Sequence, residues 1–365
     1  MSAAIRADHI GSFLRPADII EARHQGDTGS EHLRELEDRA VLQVLDKQRE
    51  LGLDVLSDGE FRRNGFMGDL TAAVDGFDYG DGVARQWKSG TAVAPSQPIR
   101  GIVVSKLKQH RRLTAHEVPF MKEHAKGPYK ITLPSATQFP AIAWKKEKSA
   151  DVYPTPSDLL RDVAAIIERE MAALAAEGVP YIQIDAPRYS YYLDPKWREW
   201  LKAEMGGDPD KLLDEALAAD NLGFKAARKP GIELAIHLCR GNNRSKWYAE
   251  GGYDAIAEKM FNTLDVDRFL LEYEDERSGS FEPLRFVPKG KTVVLGLISS
   301  KLPRMEDKAE LIRRIEAASK FVPLENLALS PQCGFASVLE GNEMTEAEQW
   351  AKLALVVDVA RTVWR

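Results

Sequence analysis

Eight short apolar runs punctuate this chain, and most lead into a stretch with helical periodicity. They fall at residues 5–12, 53–60, 129–134, 181–185, 232–239, 269–272, 292–298 and 327–329. A run of that length between turn residues reads as a strand, and strands alternating with helices build a parallel sheet. Eight repeats predict a (β/α)8 TIM barrel, an α/β fold. Such barrels reach 365 residues, so 1–365 is expected to be one domain. Between residues 31 and 51, Leu33, Leu36, Ala40, Val44 and Leu45 recur at helical spacing, and Gly52 suits the C-cap. A further helix opens at Pro156, with Ser157 expected as its N-cap, and stops at Gly178. Others are expected at 209–228, 253–264, 306–321 and 345–363.

Residues 61–128 break this rhythm. They are rich in Gly, Asp, Arg and Lys, with β-like pieces at 99–107 and around Val118. This segment is expected to be an insertion after the second strand, carrying a hairpin.

A net charge of −6 argues against a general nucleic-acid binder. No apolar run approaches the 18 or so residues of a membrane span. The first residues lack a secretory leader's apolar core. Two cysteines in so long a chain make no disulfide framework, so a reducing cytoplasm is the expected compartment.

Both cysteines end apolar runs. His237 and Cys239 stand two apart on one predicted strand and so share a face. Cys333 follows the eighth run, and Glu272 closes the sixth. One imidazole, one carboxylate and two thiolates make a tetrahedral zinc set. In a barrel these scattered strand ends converge on one mouth. Alone, a buried Cys or His is more often core than ligand. Glu274, Asp275 and Glu276 compete with Glu272, but only Glu272 ends the strand. Zinc held by two thiolates can keep a substrate thiol deprotonated and nucleophilic.

Other strand-end residues are candidates at the same mouth. Ile10, Gly11 and Ser12, after His9, offer backbone N–H groups and a hydroxyl to an anion, or form only a capping turn. Glu60 and Asp185 could together hold an ammonium group; the competing expectation is a salt bridge to Arg62, Arg63 or Arg188. Tyr189, Tyr191, Tyr192, Trp197 and Trp200 form an aromatic cluster, more often packing than a ligand cage. Arg240, Asn242 and Asn243 stand just past the ligands.

These segments together resemble the cobalamin-independent methionine synthase family, in its C-terminal catalytic barrel and in the short single-barrel branch. The carriers are Arg6–Ser12, Ser57–Arg63, Gln183–Asp185, His237–Asn242, Leu271-Glu272 and Ser330–Gly334. The resemblance implies zinc on His237, Cys239, Glu272 and Cys333. It implies homocysteine bound by its carboxylate at Ile10, Gly11 and Ser12 and by its amino group at Glu60 and Asp185. The implied activity is methyl transfer to homocysteine, giving methionine.

Two departures concern the donor. Family members that use folate carry a tryptophan after the third strand and a histidine after the seventh. Here those stretches read Ile131-Thr132-Leu133-Pro134-Ser135-Ala136 and Leu297-Ile298-Ser299-Ser300-Lys301. A methyl-folate donor is therefore not expected, and the donor, free or delivered by a partner protein, stays open. Two alternatives remain: thiol alkyl transfer such as epoxide opening by coenzyme M, which the short branch contains, and a non-catalytic zinc or redox-sensing barrel. Coenzyme M carries a sulfonate and no ammonium, so the acidic pair favours an amino-acid thiol.

Overall fold

The computed structural model describes residues 4–89, 92–93 and 97–364, so the expected limits 1 and 365 and part of the insertion lie outside the described residues. Six parallel strands form one sheet in chain order: Lys130–Pro134, Tyr181–Asp185, Glu233–Leu238, Arg268–Glu272, Thr292–Ile298 and Leu327–Pro331. Nearly all their residues are buried, as a parallel sheet covered by helices requires.

The first two expected strands shrink to single parallel bridges, Ala7 with Leu329 and Leu56 with Tyr129. Between them, Asp54 N donates to the Ala7 carbonyl at 3.2 Å, so these segments link the sheet's two edges and complete the barrel. Side-chain carboxylates cut them short. Asp54 accepts from the backbone N–H of Arg6 and Ala7 at 2.7 and 2.8 Å, and Asp8 from that of His9 at 2.8 Å. Those donors are withdrawn from the ladder. Inside the ring, Val55, Tyr181, Ala235, Leu270, Val294 and Ala328 pack as one cluster. A larger core lies between strands and helices.

The helix Pro156–Ala176 shows how the sequence sets an element. Leu159, Val163, Ile166, Ile167, Met171 and Leu174 recur at helical spacing and are buried. Each such side chain taken from water contributes roughly 1.5–3 kcal/mol. Its N-cap is Thr155, not Ser157. Pro156 takes the first helical position, and Thr155 and Asp158 satisfy each other's backbone N–H groups in a capping box. The 253–264 helix is shorter, Ala257–Thr263, preceded by a turn in which the Tyr253 carbonyl accepts from Ile256 N at 3.0 Å and Ala257 N at 2.9 Å.

The insertion does carry a hairpin, Val74–Arg85 paired antiparallel with Gln97–Gln109. Around Val118, however, lies a helix, Val118–His124, with Pro in its first turn and Val118 and Met121 buried one turn apart. Just past the first hairpin strand, Lys88 and Trp247 exchange backbone hydrogen bonds at 2.6 and 3.1 Å. The insertion is thereby fastened to the loop after the His237 strand. Among the described residues no helix is long and apolar enough to cross a membrane.

Candidate metal centre

Parallel register sets Pro134, Asp185 and His237 side by side at the C-terminal ends of three strands. Cys239 follows immediately, and Cys333 arrives from the loop after Leu327–Pro331. The two sulfurs are 3.4 Å apart, both thiols are free and buried, and with a His237 ring nitrogen they fall within 4.8 Å of one another. His237 Nδ1 lies 3.3 Å from the Leu270 carbonyl, and Nε2 has no hydrogen-bond partner. An orphaned buried nitrogen beside two thiols is the donor set of a soft divalent ion, with the second nitrogen's hydrogen bond fixing the ring. The residues therefore fit zinc. The Cys333 sulfur and burial push the Cys239 thiol well up, as expected of two sulfurs sharing one site. Burial opposes a charged His237, but the Cys239 sulfur and the Asp185 and Glu272 carboxylates outweigh it and raise the imidazole.

Glu272 stands outside this triangle. One oxygen accepts from Arg240 N at 2.8 Å; the other lies 3.4 Å from Lys301 Nζ and 3.5 Å from Arg277. Burial opposes its charge, yet Lys301, Arg240 and Arg277 hold the carboxyl down at about 2. Of its competitors, Glu274 and Asp275 pair with Arg277, and Glu274 keeps one buried oxygen without a hydrogen-bond partner.

The sulfurs, His237, Glu60 and Asp185 open on one cavity of about 260 Å³. Glu60 is buried, with one oxygen on Thr132 at 2.9 Å and Arg63 at 3.1 Å. Its other oxygen has no hydrogen-bond partner. The salt bridge weighed for Glu60 is thus real but leaves half the carboxylate available. Burial, with the neighbouring Asp185 charge, raises Glu60 to about 7 against the pull of Arg63. Asp185 is raised too, first by burial, and accepts from Gln183 at 2.8 Å rather than from Arg188. A cation entering here gains two buried carboxylates.

Ile10 and Ser12 line the same cavity. Gly11 has φ +144°, and a Cβ there would come within 2.6 Å of Glu60 Oε1, so glycine lets the turn pass beside the acid. The Ile10 carbonyl accepts from Gln183 at 2.6 Å, and Ser12 Oγ from Ala336 N at 3.3 Å. His9 takes no part. It is buried against the Val55 carbonyl, and burial lowers it to about 3. The aromatic cluster is packing: Tyr191, Trp197, Trp200 and Tyr248 surround Arg85 of the chain's own hairpin. Sequence reasoning missed the outer wall of Phe66, Met67, Trp87, Ile99 and Val338. Trp87 and Ile99 reach it only through the fold of the insertion, and no spacing announces that.

A model of the cobalamin-independent synthase catalytic domain matches residues 5–362. The chain belongs to that family. Within it, the uncharacterized protein YxjH of Bacillus subtilis (strain 168) is 38% identical, over 100% of this chain and 96% of its own. The methionine synthase of Pyrococcus abyssi is 26% identical, over 89% and 84%. A crystal structure described as a putative vitamin-B12 independent methionine synthase, from Listeria monocytogenes, superposes with TM-score 0.70 at 28% identity, covering 100% and 99%. A B12-independent methionine synthase from Shewanella sp. W3-18-1, in complex with selenomethionine, gives TM-score 0.76 at 19% identity over 99% and 98%, a likeness of fold. Methyltransferase chemistry is what this synthase family supports.

Proposed function

We propose that this protein is a zinc-dependent methyltransferase that moves a methyl group to the thiol of homocysteine, giving methionine. The observation that carries the reading is one cavity shared by an orphaned imidazole nitrogen, two adjacent thiols and a buried carboxylate with a free oxygen. His237, Cys239 and Cys333 would hold zinc, with Glu272 the fourth candidate. When bound, zinc supplies a Lewis acid that keeps a thiol deprotonated at neutral pH. The free Glu60 oxygen and Asp185 take the ammonium group, and the turn at Ile10, Gly11 and Ser12 takes the carboxylate. The sulfur is thereby aimed at the mouth, between the apolar side chains of the outer wall. Its electron pair forms the new bond to the methyl carbon as the donor leaves with the old one. Such a displacement gains most from positioning. The outer wall is apolar, which suits an uncharged donor group better than an anionic tail. The acidic pair disfavours coenzyme M, whose sulfonate would meet two carboxylates.

Zinc content and calorimetric titration with homocysteine and with coenzyme M test this. Stoichiometric zinc and binding selective for homocysteine are expected. Preference for coenzyme M would move the reading to thiol alkyl transfer. Absence of zinc, or zinc without thiol binding, would sink it.

A further inference from the structure

A second group of potential ligands sits at the root of the insertion. Asp69, on the short helix Gly68–Ala73 before the hairpin, meets His116 and Glu117, on the turn after it. His116 Nε2 lies 3.7 Å from Asp69 Oδ1 and 3.9 Å from Glu117 Oε1, and all three atoms fall within 4.8 Å of one another. An ion with bonds of about 2.0–2.2 Å holds neighbouring donors roughly 3.0–3.6 Å apart, so the three side chains would draw in around it. The turn is well fixed, since Thr114 N and Oγ1 both donate to the buried Glu170, at 3.1 and 2.6 Å.

Two observations point to a missing positive charge. Glu117 is 1% exposed, yet its Oε1 has no hydrogen-bond partner. The side chain does not cap the helix it precedes. Asp58, also buried and adding its charge to Glu117's surroundings, has an unpartnered Oδ2. Four buried carboxylates, Asp58, Glu60, Asp69 and Glu117, face two buried guanidinium groups. Arg63 pairs with Glu60 and Asp69; Arg15 directs its Nη atoms to backbone carbonyls. Burial, with the Asp69 and Asp58 carboxylates, raises the Glu117 carboxyl well above its usual range, so it keeps a proton that a divalent cation would displace.

We propose that Asp69, His116 and Glu117 bind a divalent transition-metal ion that staples the base of the hairpin insertion. One imidazole and two carboxylates suit manganese, iron, cobalt or zinc, with open positions for water. His116, about one-third exposed, is the entry side. The ion joins residue 69 to residues 116–117 across the whole hairpin, and so steadies the segment that brings Trp87 and Ile99 over the cavity. This does not depend on zinc at the two thiols.

Manganese alone is the probe, because oxygen and nitrogen donors accept it and a dithiolate site disfavours it. Electron paramagnetic resonance on the full chain should report one bound Mn2+. That ion should be lost in Glu117→Gln and in His116→Ala, and retained in Cys239→Ser/Cys333→Ser. Bound manganese should also slow limited proteolysis within residues 74–109 about tenfold in the wild type, and leave His116→Ala unaffected. Should Glu117→Gln fail to fold, the partly exposed His116→Ala decides. No bound manganese, equal binding by the variants, or binding without protection of the hairpin would each overturn the proposal.

Discussion

The two ends of the barrel treat their buried polar groups in opposite ways. At the N-terminal end, Lys130 Nζ lies 2.7 Å from Asp8 Oδ1 and 2.9 Å from Gln183, and Tyr181 donates to Asp8 Oδ2 at 3.0 Å. Both Asp8 oxygens are used, and Lys130 and Arg268 hold its carboxyl down in spite of burial. At the mouth, His237 Nε2 and Glu60 Oε2 have no hydrogen-bond partner, and two thiols face each other. The first end pairs charge with charge and is built to stay shut, although Arg268 Nε there has no hydrogen-bond partner. The unsaturated end carries desolvated groups whose partners arrive from outside. A fold normally leaves few buried polar atoms unpaired, so those left together mark where ligand is expected.

The comparison can be broken most severely at the sulfurs. Cys239→Ser or Cys333→Ser should abolish zinc retention and lower methyl transfer by about 10³-fold or more while the fold persists, read by metal analysis and turnover. At the other end, Lys130→Met should leave metal content unchanged but destabilise the protein by about 3–5 kcal/mol, because it strands the Asp8 charge. Denaturant unfolding measures this, and Lys130→Met/Asp8→Asn should recover part of it. An equal loss of stability at both ends would erase the contrast.

Glu60→Gln should weaken homocysteine about 30-fold or more, the effect of removing one side of a buried charge pair, yet spare a thiol that lacks an amino group. The smallest effect is on stability and carries a sign. Glu60 is raised to about 7 when folded, so the native state binds its proton more tightly than the unfolded chain does. It therefore loses stability as pH rises from the unfolded value toward 7. Removing the acid should stabilise the protein by about 2–3 kcal/mol at pH 8 and hardly at all at pH 4. Asp8 runs the other way, its contribution present at neutral pH and lost as pH falls through its lowered value. A melting-temperature series across pH on both variants would separate the ends again.

What the sequence disclosed follows the same division. Six strands and the placing of His237, Cys239 and Cys333 were legible because burial and periodicity are local signals. Residues 5–12 and 53–60 read as full strands because composition cannot show that Asp8 and Asp54 would take backbone donors. Ser157 looked like a cap until Pro156 proved to occupy the first helical position. Glu272 was correctly placed at a strand end, but its contacts with Lys301 and Arg277 depend on packing between distant loops. The outer wall was illegible for the same reason, since Trp87 meets Tyr248 only when the insertion folds back.

One contact sets the order in which this site comes into being. A Cβ on Gly334 would collide with Ser12 Oγ, and Phe335 N donates to the Ser12 carbonyl at 3.0 Å. The loop bearing Cys333 is thus seated against a segment made some 320 residues earlier in synthesis. A growing chain that already displays His237 and Cys239 still lacks the second sulfur and the surface that positions it. The pairing of the two sulfurs is completed only when the ring closes, so a nascent or misassembled chain lacks the finished His237–Cys239–Cys333 triangle.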